Sequence, residues 1–145
     1  MAEIVTYAGL FASAFLAATI LPAQSEAGLA YLVLSGDYPV IFLLFFASLG
    51  NVAGSVVNWC FGWQLDRFKD KRWFPVKSGA VDRAKIYYAR FGIWSLLLSW
   101  VPIIGDPITV IAGFFRVPLL VFLLVVGVAK TARYIVVVAI ALQMI

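Results

Sequence analysis

Two short stretches of this chain place a proline and then, four residues on, a carboxylate inside apolar runs. They are Pro22 with Glu26 in LPAQSEAG (21–28) and Pro102 with Asp106 in VPIIGD (101–106). Proline lacks the backbone N–H and clashes with the preceding turn, so each motif stops a helix. An acid inside a membrane-length apolar stretch is costly and is by default a functional-site hypothesis. Two such acids at matching places in two halves imply an internal repeat with a site near the membrane midplane, as in secondary transporters.

Composition supports a membrane setting. The 145 residues are 64% hydrophobic and 12% charged, whereas a soluble domain is about half apolar and about a quarter charged. At about 20 residues per spanning helix, the length suits one integral membrane domain of roughly four to six segments. Histidine is absent, which removes the commonest general base and metal ligand. The single cysteine, Cys60, can form neither an intrachain disulfide nor a cysteine metal cluster, and it reads as a small buried hydrophobe. No metal and no cofactor are expected.

The net charge is +4, and its distribution matters more than its sum. Arg67, Lys69, Lys71, Arg72, Lys77, Arg83, Lys85 and Arg90 share one central segment, while Arg116, Lys130 and Arg133 lie outside it. Because apolar runs flank this block, nucleic-acid binding is a poor reading, and the positive-inside rule makes it a cytoplasmic loop with both termini periplasmic. The N-terminal run is not expected to be a cleaved signal, since Glu3 stands where a signal peptide carries Lys or Arg.

Residues 4–21 form a long apolar run that stops at Pro22. Residues 27–34 return but are too short to span, and Ser35, Gly36, Asp37 and Pro39 mark a turn. Residues 40–64 read as one long spanning helix carrying Gly50, Gly54, Asn58 and Gly62 at intervals of four. That spacing puts small residues on one stripe, where another backbone can approach closely. Asn51 and Asn58 each need a hydrogen-bond partner in lipid.

In the central loop, residues 66–90, Ala80, Ala84, Tyr87, Tyr88 and Phe91 recur at helical spacing while Asp82, Arg83, Lys85 and Arg90 fall elsewhere on the wheel. This predicts an amphipathic helix on the cytoplasmic membrane face, drawn to anionic lipid by about 1 kcal/mol per basic residue. Residues 91–104 then form an apolar run ending at Pro102 and Gly105-Asp106-Pro107, residues 108–115 return, and residues 119–145 form a second long helix.

The predicted fold is all-α: a re-entrant helical hairpin plus a long transmembrane helix, repeated. Half one is 1–65, the basic loop 66–90 and half two 91–145. A single spanning helix separates the hairpins, so they enter from opposite faces, which makes the repeat inverted.

Asp106 followed by Pro107 also fits an ordinary helix start, with the acid at the N-cap and proline at N1. Glu26 alone also fits a residue at the water interface. Lys130 and Arg133 lie deep in the last helix, with residues 119–129 before them and 135–145 after Tyr134. A central Lys or Arg costs at least about 2.5–3.5 kcal/mol on insertion scales. Spaced three apart they share one face, and pairing with Glu26 and Asp106 would line one polar pocket. Such a pocket would take an anionic headgroup on the cations and use the hairpin acids as proton carriers. No nucleophile with an adjacent base appears, so enzyme activity is not expected.

The stretches FLAATILPAQSE (15–26), GNVAG (50–54), SWVPIIGDPITVIAG (99–113) and GVAKTARY (127–134) resemble the DedA family, whose domain is shared with the eukaryotic VTT (SNARE-associated) proteins, and within it the small YqaA branch. The resemblance runs in family order over essentially the whole chain. It implies a multi-pass protein of the bacterial inner membrane with two opposed re-entrant hairpins and a role in envelope homeostasis. It also implies movement of polyisoprenyl-phosphate carriers or phospholipids between leaflets, in some members coupled to the proton gradient. Glu26 and Asp106 fall at the family's hairpin acids and Arg133 at the arginine of its final helix. The chain departs in one place: larger members carry Gly-Arg at the end of the first spanning helix, whereas Gly62 is followed here by Trp63, with Arg67 a turn later.

The expected function is therefore lipid-carrier or phospholipid transport. Transport of protons or small cationic solutes, and a non-transporting scaffold, are the competing expectations. Expected partners are membrane lipids, an anionic headgroup as substrate and a second copy of the chain.

Overall fold

The computed structural model describes residues 1–19, 24–68, 86, 88–100 and 105–145. Among these the regular structure is entirely helical: α1 (Ala2–Thr19), α2 (Gln24–Ser35), α3 (Val40–Phe68), a 3₁₀ segment (Gly92–Trp100), α4 (Gly105–Phe114) and α5 (Leu119–Gln143). The hairpin breakers Pro22 and Pro102, and most of the expected amphipathic helix, lie outside the described residues.

Among the described residues two helices are long and apolar enough to cross a membrane, over Val40–Leu65 and Leu119–Gln143. The other segments are shorter. At 1.5 Å per residue α2 and α4 extend about 18 and 15 Å, and the 3₁₀ segment about 18 Å, against an apolar core of about 30 Å. Helix α2 starts earlier than the residue-27 boundary expected for the return, so Ser25 and Glu26 belong to its first turn. An acid there faces the positive end of the helix dipole. The turn after α2 is made by Gly36, whose φ of 72° suits a residue without Cβ. The nine-residue 3₁₀ segment is unusually long for its kind. Ser95 reinforces its three-residue spacing by donating from Oγ to the Gly92 carbonyl at 2.7 Å.

Helix α3 is the central post. Helix α1 runs alongside it in the same direction. Tyr7 stacks on Phe46 at 5.1 Å between centroids, Gly50 lies against Phe11 and Ala14, and Gly54 lies against Phe15 and Ala18. Further along, Gly62 meets Val110 and Phe114 of α4, and Gly113 of α4 meets the backbone of Trp59. The predicted small-residue stripe is therefore divided, its first part receiving α1 and its last part α4. Helix α5 runs antiparallel to α3. Its Tyr134, Val138 and Ala141 share a core with Leu43 and Ala47, and Phe122 lies 6.3 Å from Trp59. A second core joins Leu96, Ala112, Val117, Phe122 and Val126.

Cys60 departs from expectation. It is exposed rather than buried, because it sits two positions from both Asn58 and Gly62, on the side of α3 away from the packing stripe.

Candidate functional site

Midway along the bundle, α2, α3 and α5 bring polar side chains together inside apolar surroundings. The first turn of α2 contributes Ser25 and Glu26, α3 contributes Asn51, and one face of α5 contributes Lys130, Arg133 and Tyr134. Ser25, Asn51, Lys130 and Tyr134 are all buried.

Arg133 pairs with Glu26, its Nε donating to and its Nη2 facing the same carboxylate oxygen, Oε1. The two side chains are 12% and 23% exposed, so the pair is largely withdrawn from its surroundings. Of the pairings expected between Lys130 and Arg133 and the two hairpin acids, this one is present, and the side chain of Asp106 lies outside the described residues. Lys130 has a partner that the charge pattern does not name: its Nζ donates to Asn51 Oδ1 at 2.6 Å. With Oδ1 accepting from the ammonium, Asn51 Nδ2 donates to Tyr134 Oη at 3.0 Å and to the Ala14 carbonyl at 3.3 Å. Tyr134 Oη accepts from the amide and shares a second hydrogen bond with Ser25 Oγ, 2.8 Å away. Helix α2 is thus held to α5 at two adjacent residues, Glu26 to Arg133 and Ser25 to Tyr134.

Asp106 is the second residue of α4, after Gly105 and before Pro107. The helix starts two residues earlier than an Asp106 N-cap with Pro107 at N1 implies, and proline is tolerated in a first turn. The side chains of Gly105, Asp106 and Pro107 lie outside the described residues. Asn58 stands between the two shorter helical groups. Its Nδ2 donates to the Ala18 carbonyl at 2.8 Å and to Thr109 Oγ1 at 3.2 Å. Ala18 is in the last turn of α1, where carbonyls have no partner within the helix, so Asn58 caps α1 while reaching α4.

Ser25, Thr109 and Tyr134 were not singled out from sequence. For Tyr134 a signal existed, since it lies four residues after Lys130 and therefore on the same face. Ser25 and Thr109 are ordinary small polar residues, and no periodicity marks them.

On the other flank of Lys130, an open groove of about 690 Å³ follows α3, lined by residues that include Ile41, Phe45, Leu49, Val52 and Thr131. Ser48 also lines it, and its hydroxyl oxygen is buried with no hydrogen-bond partner among the described residues.

The family model of the VTT domain matches residues 21–142. The chain is 35% identical over 145 residues to the inner membrane protein YqaA of Escherichia coli (strain K12), covering 99% of this chain and 96% of that protein. The same identity and coverage hold for its counterpart in Shigella flexneri. An uncharacterized protein of Haemophilus influenzae is 31% identical over 133 residues, 87% of this chain and 81% of its own. No solved structure matches.

Proposed function

The chain belongs to the VTT domain family, and on that premise we propose that it is a multi-pass transporter of the bacterial inner membrane. Its cargo is a lipid phosphate carrier or a phospholipid, moved between leaflets. The observation that carries this reading is the Glu26–Arg133 pair, set beside buried Lys130 in helices made mostly of apolar residues. Cations there supply a fork and a point charge for a phosphate, and Glu26 competes for the same guanidinium. Protonation of Glu26 would release Arg133 to a headgroup, which couples transport to a proton. The apolar groove beside Thr131 suits the tail of such a substrate.

In this reading α1 with α2, and the 3₁₀ segment with α4, are two re-entrant hairpins of an inverted repeat, entering from opposite faces. Its support is the register along α3, where α1 packs on Gly50 and Gly54 and α4 on Gly62. Asp106 would serve the second hairpin as Glu26 serves the first. The basic loop faces the cytoplasm, and no catalytic step is assigned. In a Cys60→Ala background, a cysteine placed at Lys77 should resist a membrane-impermeant thiol reagent added to the periplasmic side of intact cells. Labelling there would reverse the topology.

The direct test is leaflet translocation of a labelled lipid phosphate in proteoliposomes, with and without a pH gradient. Glu26→Gln should abolish the response to the gradient while the protein still folds. Arg133→Lys should slow transport although the charge is kept. Full, gradient-responsive transport by both variants would refute the mechanism. A scaffold role is favoured by the closed state of the Glu26–Arg133 pair. A scaffold would tolerate the exchange Glu26→Arg/Arg133→Glu, whereas the transporter would not.

A further inference from the structure

On the premise of the transport reading above, we propose that Ser48 is a specificity-determining residue for the cargo. Its hydroxyl binds the acyl ester carbonyl of a glycerophospholipid passing along the groove on α3. The hydroxyl itself is the first observation. Ser48 is buried, and its Oγ has no hydrogen-bond partner among the described residues. A buried hydroxyl without a partner is costly, and a helix offers a ready remedy in the carbonyl four residues back. Ser55, on the same helix, takes that remedy and donates to the Asn51 carbonyl at 3.0 Å. Ser48 makes no such bond to Leu44.

The place of Ser48 is the second observation. It lines the open groove of about 690 Å³, and of the residues lining that groove only Ser48 and Thr131 have polar side chains. Ile41, Phe42, Phe45 and Leu49 around it are exposed, and on a membrane-spanning helix such a flank meets lipid chains. Serine has one heavy-atom torsion with three staggered positions. A turn at χ1 therefore brings the hydroxyl to an acceptor in the groove and gives up no existing bond. Depth then selects the acceptor. Ser48 comes eight residues after Val40, where the span begins, about 12 Å along the helix. The hydrocarbon core is about 30 Å thick, so Ser48 lies near its middle. A lipid resting in either leaflet presents only hydrocarbon at that depth, whereas one in transit carries its ester carbonyls past it. The polar cluster adjoins the groove: Asn51 follows Ser48 by one turn on α3, and Thr131 follows Lys130 on α5. A headgroup at the cluster leaves its glycerol beside Ser48. A polyisoprenyl phosphate continues from its phosphate as hydrocarbon and offers the hydroxyl nothing, so of the two cargoes the glycerophospholipid is the one that satisfies it.

The test compares labelled phosphatidylglycerol with its diether analogue, in which ether links replace the acyl esters, in the proteoliposome translocation assay. At a low mole fraction of labelled lipid, where binding sets the rate, the original protein should move the diester about fivefold faster, the worth of one neutral hydrogen bond. Ser48→Ala should bring the diester down to the diether rate and leave the diether rate unchanged. Alanine suits a helix and removes the unpartnered hydroxyl, so Ser48→Ala should melt at or above the original protein. Ser55→Ala, which removes a hydroxyl already satisfied within α3, should keep the diester preference. Equal rates for the two lipids in the original protein would overturn the proposal and leave the transport reading standing. A diester preference that survives in Ser48→Ala, or is lost equally in Ser55→Ala, would do the same. A lower melting temperature of Ser48→Ala would overturn it by making the hydroxyl structural. Movement of a labelled polyisoprenyl phosphate but of neither phosphatidylglycerol would overturn the ester role alone, and movement of none of the three would overturn the transport reading with it.

Discussion

Arg133→Gln lowers the stability of the detergent-purified protein by about 3–5 kcal/mol, the usual cost of removing one member of a buried ion pair. The cause is the partner left behind. Both contacting nitrogens of Arg133 meet Oε1 of Glu26, and the neutral amide cannot balance that carboxylate. The positive end of α2 offsets part of the loss, since Glu26 lies in its first turn, which places the expected value toward the low end. The double variant Glu26→Gln/Arg133→Gln should recover most of it, because neither charge then remains buried. Thermal melts of the two single variants and the double variant complete the cycle. Additive losses would mean that the pair does not hold α2 to α5.

Gly113→Ala destabilises by about 1–3 kcal/mol, the range for overpacking a filled interface. A Cβ at Gly113 would meet the carbonyl oxygen, carbonyl carbon and Cα of Trp59. These are backbone atoms of α3, which cannot swing aside as a side chain can, so the two helices must separate. Gly9→Ala is the contrast. Gly9 lies within α1 with nothing within 4 Å of a new Cβ, and alanine there should stabilise by about 0.5–1 kcal/mol through helix preference. Melting temperatures that move in the same direction for both would contradict the backbone contact assigned to Gly113.

Charge made it readable from sequence that Arg133 meets a hairpin acid, and the structure shows that the acid is Glu26. Few charges lie in the long apolar runs, each is costly alone, and a small number of pairings satisfies them. The stripe of Gly50, Gly54, Asn58 and Gly62 was readable because it repeats at helical spacing. Its division between α1 and α4 was not, since spacing marks a contact face without naming the neighbour. Asn51 and Lys130 were singled out separately, yet nothing in the sequence joins an amide at 51 to an ammonium at 130. Ser25 and Tyr134 were missed because a hydroxyl can be satisfied in many ways and carries no obligation as sharp as a charge. The left-handed backbone of Arg116, with a φ of 57°, was hidden for a different reason: the left-handed position closing a helix is recognised by glycine, and arginine stands there instead.

Asn58 has a further consequence. An amide nitrogen has two hydrogens, and here one goes to Ala18 of α1 and the other to Thr109 of α4. Helices α1 and α4 therefore share a coupling pin, mounted on the α3 post that both lean against. In apolar surroundings a hydrogen bond is worth about 4–6 kcal/mol against no partner at all, so neither helix can withdraw from Asn58 into such surroundings without that loss. Displacement of either helix breaks a bond to the amide that also holds the other, so any motion that separates α1 or α4 from the post has to be registered at residue 58.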